Sequence, residues 1–462
     1  MPELPEVETV VRTLERQIGS KKIKEVKVCW DNIIANVRPE VFASALINQR
    51  LEKYDRRGKF LIFTLTDYIL VSHLRMEGKF FIHPLNTAKD KHTHVIFRME
   101  DLELHYNDVR KFGRFYLYRK QDSLTCLDNL GYEPFDETLA GPVLRKLTLK
   151  DKMVIKTKLL DQSLIAGIGN IYANEICFRC GLDPLRKSCY ISVSKWDEVI
   201  EATREVLRQA IEQGGTTIRS YTSSLGVTGL FQQSLMVHAR EKESCYCCGS
   251  EIIKIRVNGR GTYYCPVCQR RKPLVVAVTG CIGSGKSEVS SYLKERGYLT
   301  ISSDEINADL LKQPQTIADL AAILGCQKED IDKKYLSEVI FSQSAAKEKV
   351  ESYLHQRIYQ EIASWIKENE AEKLLFVEVP LLYEVGWDRY FDYNVNVDSR
   401  PELIYQRLLE NRKMKKEEVD RRLRNQLSLA EKAKRADYNL DNRSTLEKLH
   451  DSIETLIRRL EY

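Results

Sequence analysis

The sequence predicts a multidomain protein. It reads as an N-terminal β-sheet or sandwich with a leading helix, an all-helical segment, a four-cysteine zinc module and a C-terminal α/β domain. Three observations carry this. Short β-rich runs separated by turn residues dominate residues 24–118. Cys245-x2-Cys248 and Cys265-x2-Cys268 enclose sixteen residues. Gly280-x4-Gly285-Lys286-Ser287 follows the apolar run Leu274 to Val278.

The elements follow in order. Val7, Val10, Val11, Leu14 and Ile18 recur at helical spacing. Pro5 suits the first turn of that helix, and Glu6 and Glu8 suit its positive end. Phe60 to Leu65, Tyr68 to His73, His94 to Met99 and Phe115 to Tyr118 read as strands. Residues 144–213 turn helical, interrupted at Gly167-Ile168-Gly169-Asn170. Two cysteine pairs at the spacing above read as a closed tetrahedral zinc site, hence a structural ion. Cys247 is supernumerary. Cys177-x2-Cys180 lacks a second pair and falls on a helix, so it reads as structural. After Arg271-Lys272-Pro273 the apolar strand runs into the glycine loop, and α/β alternation continues.

The 462 residues carry a net charge of +6, unevenly divided. Residues 1–272 hold 43 basic against 33 acidic residues, and the remainder 29 against 33. A basic first part suits a polyanion such as DNA; ordinary scatter of surface charge reads the same way. No run reaches membrane-spanning length and the start lacks a basic-then-apolar signal, so no membrane partner and a cytoplasmic location are expected. In that compartment the twelve cysteines point to metal rather than disulfides.

Two stretches carry chemistry. Removal of Met1 would leave Pro2 with a free secondary amine, followed by Glu3. An amine attacks carbon only when unprotonated. Roughly a tenth of an ordinary α-amine is neutral at pH 7, against a few in ten thousand lysines, by order of magnitude. Glu3 sits where it can move protons. The competing reading is that Pro-Glu merely starts a helix. The second stretch, Gly280, Cys281, Ile282, Gly283, Ser284, Gly285, Lys286 and Ser287, has the strand–loop–helix context of a phosphate-binding loop. Backbone N–H groups cradle phosphates, Lys286 reaches the β- and γ-phosphates, and Ser287 meets Mg²⁺.

The first half resembles the formamidopyrimidine-DNA glycosylase family, bacterial enzymes that excise oxidised purines. The resemblance rests on MPELPEVET at residues 1–9, Arg57-Gly58-Lys59-Phe60, His73-Leu74-Arg75-Met76 and Asn107 to Gly113. It continues through Leu160-Asp161-Gln162, Ala166 to Glu175, and Gly214-Gly215-Thr216-Thr217. It covers residues 1–272. It implies an N-terminal catalytic β-sandwich over 1–135, a helix–two-turns–helix domain over 136–236 and a zinc finger over 237–272.

By this resemblance Pro2 attacks C1′ of the damaged nucleotide to form an iminium, Glu3 assists by proton transfer, and β,δ-elimination cuts the strand. The expected partner is double-stranded DNA with an oxidised purine or an abasic site. Its target base has to be flipped out of the stack. Met76, Arg110 and Phe112 match residues that fill the vacated space. Lys59, Lys156, Asn174 and Arg260 match phosphate-gripping positions. Arg219 to Tyr221 match the segment that closes over the flipped base. His238-Ala239-Arg240 departs from the family, which usually has tyrosine and glycine before the arginine.

Residues 273–462 resemble dephospho-CoA kinase, a phosphate-loop enzyme acting on the ribose 3′-hydroxyl of dephospho-CoA with ATP and Mg²⁺. The resemblance rests on Ser303-Asp304-Glu305-Ile306, Val379 to Glu384, Gln406-Arg407-Leu408, Arg422 to Gln426 and Ala436 to Asn442. It implies that Asp304 orients the acceptor hydroxyl and that Arg407 and Arg412, in a lid-like region, steady transferred charge. Paired aspartates of the family become Ser302 and Asp304, an arginine becomes Lys333, Gln356 replaces a proline after His355, and Glu378 stands where aspartate precedes Val-Pro-Leu-Leu. Lysine does not reproduce a bidentate arginine contact.

Three readings stay open at this level. The chain is two enzymes in one; or a repair enzyme with a catalytically degenerate nucleotide-binding module; or its first half binds DNA damage without cutting it. The abrupt join also fits two adjacent reading frames merged by loss of a stop.

Overall fold

The computed structural model describes residues 1–216, 229–331, 335–336 and 344–461. The chain divides into two compact units between Arg271 and Lys272.

The first unit opens with helix α1 (Leu4–Ile18). Eight strands follow: β1 (Glu25–Val28), β2 (Leu51–Arg57), β3 (Phe60–Leu65), β4 (Tyr68–His73), β5 (Lys79–Pro84), β6 (Thr93–Arg98), β7 (Leu102–Asn107) and β8 (Arg114–Arg119). A short helix, α2 (Pro39–Leu46), lies between β1 and β2. The strands form two antiparallel four-stranded sheets, ordered β1-β6-β7-β5 and β2-β3-β4-β8. The expected strands appear, the last two each shifted or extended by a residue. Alternation explains the sheets: β3 buries Leu61, Phe63 and Leu65 and leaves the residues between half-buried.

The inner faces of both sheets share one core. Phe63 and Phe115 come from one sheet and Phe80 and Phe97 from the other, with ring centroids about 6 Å apart at mutually tilted planes. Helix α1 closes this core with Val7, Val10, Val11, Leu14 and Ile18. Leu4, one turn earlier, belongs instead to a second core.

That second core is helical. It contains α3 (Gly141–Thr148), α4 (Ile155–Lys158), α5 (Asn170–Arg179) and α6 (Val193–Glu212), packed around Trp196, Tyr172 and Ile176. Beyond it β9 (Ile253–Val257) and β10 (Arg260–Tyr264) form an antiparallel hairpin. Its turn residues Asn258 and Gly259 have φ of 46° and 75°. Two positive φ angles define the turn that matches strand twist, and Asn-Gly is the pair that adopts it most readily.

The second unit is a parallel sheet of five strands. These are β11 (Leu274–Thr279), β12 (Leu299–Ser302), β13 (Leu374–Glu378), β14 (Tyr393–Asp398) and β15 (Tyr438–Asp441), ordered β12-β13-β11-β14-β15. Every residue of β11 is buried, as expected of a central strand covered on both faces. Its helices are α7 (Lys286–Glu295), α8 (Ser303–Leu310), α9 (Pro314–Leu324), α10 (Ser344–Glu368), α11 (Pro401–Gln406), α12 (Lys416–Arg424), α13 (Leu429–Arg435) and α14 (Leu446–Glu461). Ile306, Leu310, Ile358 and Ile362 from α8 and α10 pack on Val275, Ala277 and Val377 of the sheet. Among the described residues no helix is long and apolar enough to cross a membrane.

Candidate functional site

In the first unit the segment 165–170, tied to Tyr132 by the bridge at Ile165, brings the start of the chain against the start of α5. The Leu4 N–H donates to Gly167 O at 3.0 Å. Glu3 is the N-cap of α1, and its own N–H donates to Glu6 Oε2 at 2.8 Å. The Glu3 carboxylate in turn accepts from Ile171 N–H at 3.0 Å and Tyr172 N–H at 3.4 Å. It therefore sits on the positive end of α5, where unpaired N–H groups converge. Gly169 is required there, because a Cβ at that position would run into the Glu3 carboxylate. Burial raises the Glu3 pKa, against the opposing pull of Lys59.

The sequence marks Glu6 only as a helix-start acid. In the fold it accepts from Tyr172 Oη at 2.6 Å, Thr216 N–H at 2.8 Å and Thr216 Oγ1 at 3.0 Å. Lys59 is buried, and its Nζ donates to Ile168 O at 2.8 Å, an oxygen that Gln162 Nε2 also reaches at 2.8 Å. Burial lowers the Lys59 pKa, with Glu3 and Glu6 opposing. Pro2, Glu3, Glu6, Lys59, Met76, Asn170, Thr216, His238 and Arg260 line one cavity of about 330 Å³.

The remaining expected DNA-contact residues divide. Arg110 and Phe112 do not line that cavity. They lie exposed on the β7–β8 loop, with the guanidinium carbon 4.7 Å from the ring centroid. The Asp108 carboxylate fixes that loop by accepting from Arg110, Phe112 and Gly113 N–H at 3.0, 2.9 and 2.7 Å. Lys156 and Asn174 are buried. Lys156 Nζ donates to Asn170 Oδ1 at 2.8 Å, and burial lowers its pKa to about 8. Asn170 Nδ2 continues to Gly261 O on the zinc hairpin at 3.0 Å. Asn174 Nδ2 lies 2.7 Å from His238 Nδ1. Burial and the Lys156 charge lower His238 to about 4, so its ring is neutral near pH 7. Arg219 and Tyr221 lie outside the described residues.

Cys245, Cys248, Cys265 and Cys268 place their sulfurs within 4.8 Å of one another. Cys245 to Cys268 is 3.8 Å and Cys248 to Cys265 is 3.4 Å. A tetrahedron of Zn–S bonds near 2.3 Å needs sulfurs about 3.8 Å apart, so the four thiols fit the ion. Cys247 is exposed and outside the group, and Cys177 is buried with its pKa pushed up to about 12. Glu175 fastens the segment before these ligands. Its carboxylate accepts from Met236, Val237 and His238 N–H at 2.8, 3.1 and 2.8 Å.

In the second unit Gly280, Gly283 and Gly285 take φ of 154°, 79° and 102° between β11 and α7, as a loop that turns its N–H groups inward requires. Lys286 is buried. Its Nζ donates to Gly280 O and Cys281 O at 3.0 and 3.1 Å, and burial lowers its pKa. Lys286, Ser287, Asp304, Glu378, Arg407, Arg412, Arg422 and Gln426 line a cavity of about 530 Å³. Gln426 braces the loop by accepting from Ile282 N–H at 3.0 Å. Ser284 Oγ is buried without a partner.

Arg407 lines this cavity too, but its guanidinium faces the loop rather than standing free on a lid. It donates to Gly283 O and Ser284 O, both at 3.4 Å, to Ser399 Oγ at 3.3 Å and to Asn442 Oδ1 at 3.1 Å. Asn442 Nδ2 reaches Ser284 O at 2.7 Å. Lys333 lies outside the described residues, and Gln356 falls within α10.

Known proteins resemble both units. Residues 1–115 match the formamidopyrimidine-DNA glycosylase N-terminal domain and 130–222 the formamidopyrimidine-DNA glycosylase H2TH domain. Residues 274–448 match dephospho-CoA kinase. The formamidopyrimidine-DNA glycosylase of Exiguobacterium sibiricum is 48% identical over 274 residues, which is 58% of this chain and 99% of that protein. That of Bacillus cereus is 45% identical over 277 residues, 59% of this chain and 100% of that one. Lactococcus lactis Fpg, solved with DNA containing N7-benzyl-Fapy-dG, aligns at TM-score 0.55 and 38% identity, over 58% of this chain and 100% of that chain. The same protein with abasic-site DNA aligns at TM-score 0.56 and 38% identity.

Proposed function

Because this chain belongs to the formamidopyrimidine-DNA glycosylase family and carries a dephospho-CoA kinase domain behind that homology, we propose that it is two enzymes in one polypeptide. The first is a glycosylase and abasic-site lyase for oxidised purines in double-stranded DNA. The second transfers phosphate from ATP to dephospho-CoA with Mg²⁺. The proposed limits are 1–135 for the catalytic sandwich, 136–236 for the helix–two-turns–helix domain, 237–272 for the zinc finger and 273–462 for the kinase. The proposed location is cytoplasmic.

One observation carries the DNA reading. Pro2 and the Glu3 carboxyl share a cavity with two cations, Lys59 and Arg260, and with Met76. With Met1 removed, the Pro2 amine attacks C1′ of a flipped nucleotide, the base leaves, and an iminium forms. A carboxyl whose pKa is raised by burial holds a proton nearer neutrality than a free one and can pass it on during elimination. Lys59, Lys156, Asn174 and Arg260 grip the phosphates, with Arg219 and Tyr221 near the base. Met76, Arg110 and Phe112 fill the gap in the duplex. Zn²⁺ on Cys245, Cys248, Cys265 and Cys268 folds the hairpin that carries Arg260.

In the kinase domain residues 280–287 hold the ATP phosphates, Ser287 meets Mg²⁺, and Asp304 orients the acceptor hydroxyl. Arg412 stands nearest a charge-steadying role. Arg407 acts through the loop it is bonded to.

Two assays test this. Borohydride should trap the protein on lesion DNA, and Pro2→Gly should abolish trapping; full trapping by that variant overturns the mechanism. The purified chain should phosphorylate dephospho-CoA, and Lys286→Ala should not. DNA cleavage without phosphorylation would instead make the second unit a nucleotide-binding module without transfer.

A further inference from the structure

Serine and threonine inside a helix usually return their hydroxyl to the preceding turn. Thr148, Thr203 and Thr455 of this chain do so, reaching carbonyl oxygens four residues back. Ser290, one turn beyond Ser287 on α7, does otherwise. Its hydroxyl donates to Glu378 Oε2 at 2.8 Å, across to a different element.

Glu378 ends β13, in register with Val278 of β11 and Ser302 of β12. It stands at the carboxyl edge of the parallel sheet, between the strand that enters the phosphate loop and the strand that leads to Asp304. Open parallel sheets bind their ligands at that edge. Glu378 lines the same cavity as Lys286, Ser287 and Asp304. A glutamate has one more rotatable bond than an aspartate, and that bond must be held before its carboxylate can meet a ligand reproducibly.

We propose that Ser290 is a positioning residue for the nucleotide site. It holds one carboxylate oxygen of Glu378 so that the other faces the cavity, beside Ser287, to meet the hydrated divalent cation carried by a nucleoside triphosphate. This rests on the phosphate-loop reading of the second unit. Ser287 supplies the direct hydroxyl contact to that cation, and Glu378 an anionic acceptor for its water shell. Ser290 touches neither nucleotide nor metal.

The test is calorimetric binding of ATP to the full-length protein, with saturating Mg²⁺ and with none. Ser290→Ala should weaken binding in Mg²⁺ about tenfold, the size of one charge-assisted hydrogen bond, and leave Mg²⁺-free binding unchanged. Ser290→Thr, which keeps the hydroxyl, should restore it. In a Glu378→Asp background, where the carboxylate is drawn back from Ser290, adding Ser290→Ala should cost nothing further. Equal weakening with and without Mg²⁺, no weakening, or an additive double variant overturns the role of Ser290 while the nucleotide site stands. A wild-type chain that binds no ATP in either condition removes the nucleotide site, and this role with it.

Discussion

Burial sets the charge of Lys156, the lysine proposed above to grip a DNA phosphate. It is buried, bonded to Asn170, and holds its proton only up to about pH 8. As an ordinary lysine titrates near 10.4, its cationic contact should be complete below pH 8 and fade as pH rises through that value. Affinity for an abasic-site duplex at fixed ionic strength should fall about tenfold between pH 7 and 9.5 if that contact is charge-assisted. Lys156→Arg, whose guanidinium keeps its proton, should flatten the curve. An unchanged slope would assign the pH dependence to another group. Glu6 shows the opposite case: its place in the first turn of α1 marks it only as an acid suited to the helix dipole, while its bonds to Tyr172 and Thr216 depend on segments far along the chain.

Elements differ in how far local residues dictate them. The β9–β10 hairpin is nearly self-specified, since Asn258-Gly259 selects the turn and four thiols clamp its base. The phosphate loop is specified locally in shape but braced from afar. Gly285 takes a φ of 102°, and a Cβ there would collide with Asn442 Nδ2. Gly285→Ala should therefore weaken ATP binding roughly ten- to hundredfold, the scale of one strained backbone position plus a displaced brace. Binding within twofold of wild type would show that the loop tolerates the shift. Arg407 is part of that distant brace. The family resemblance implies a lid-like region for it, and only the fold turns its guanidinium onto Gly283 and Ser284. Helix α5 is the corresponding hub of the first unit, because Glu3, Lys156, Gly261 and residues 236–238 all bond to it or to its first residues.

At the scale of the molecule, each unit has its own hydrophobic cores. Calorimetry should accordingly resolve two unfolding transitions rather than one. Removing zinc with a strong chelator should lower only one of them. Mg-ATP at a hundred times its Kd should raise only the other, by about 2.7 kcal/mol of stability, or roughly 5–10 °C. A single transition that responds to both treatments would mean that the units unfold as one. The charge division has its own consequence. Residues 1–272 are net basic and the remainder net acidic, so DNA affinity should drop steeply with salt, whereas ATP binding should not share that slope.

The parts whose geometry is written within a few residues are legible without the fold. These are the four clustered cysteines by spacing, the glycine-rich loop by its glycines after an apolar strand, the Pro2-Glu3 pair by adjacency, and the strands by alternation. Short-range steric and pairing rules suffice there. Which distant groups meet emerges on folding: Glu3 on the start of α5, Lys59 on Ile168, Asn174 on His238, Arg407 on the glycine-rich loop and Ser290 on Glu378. Such pairs arise from the packing of whole elements around a core. The sequence around each partner is compatible with many other neighbours, and the choice among them belongs to the fold.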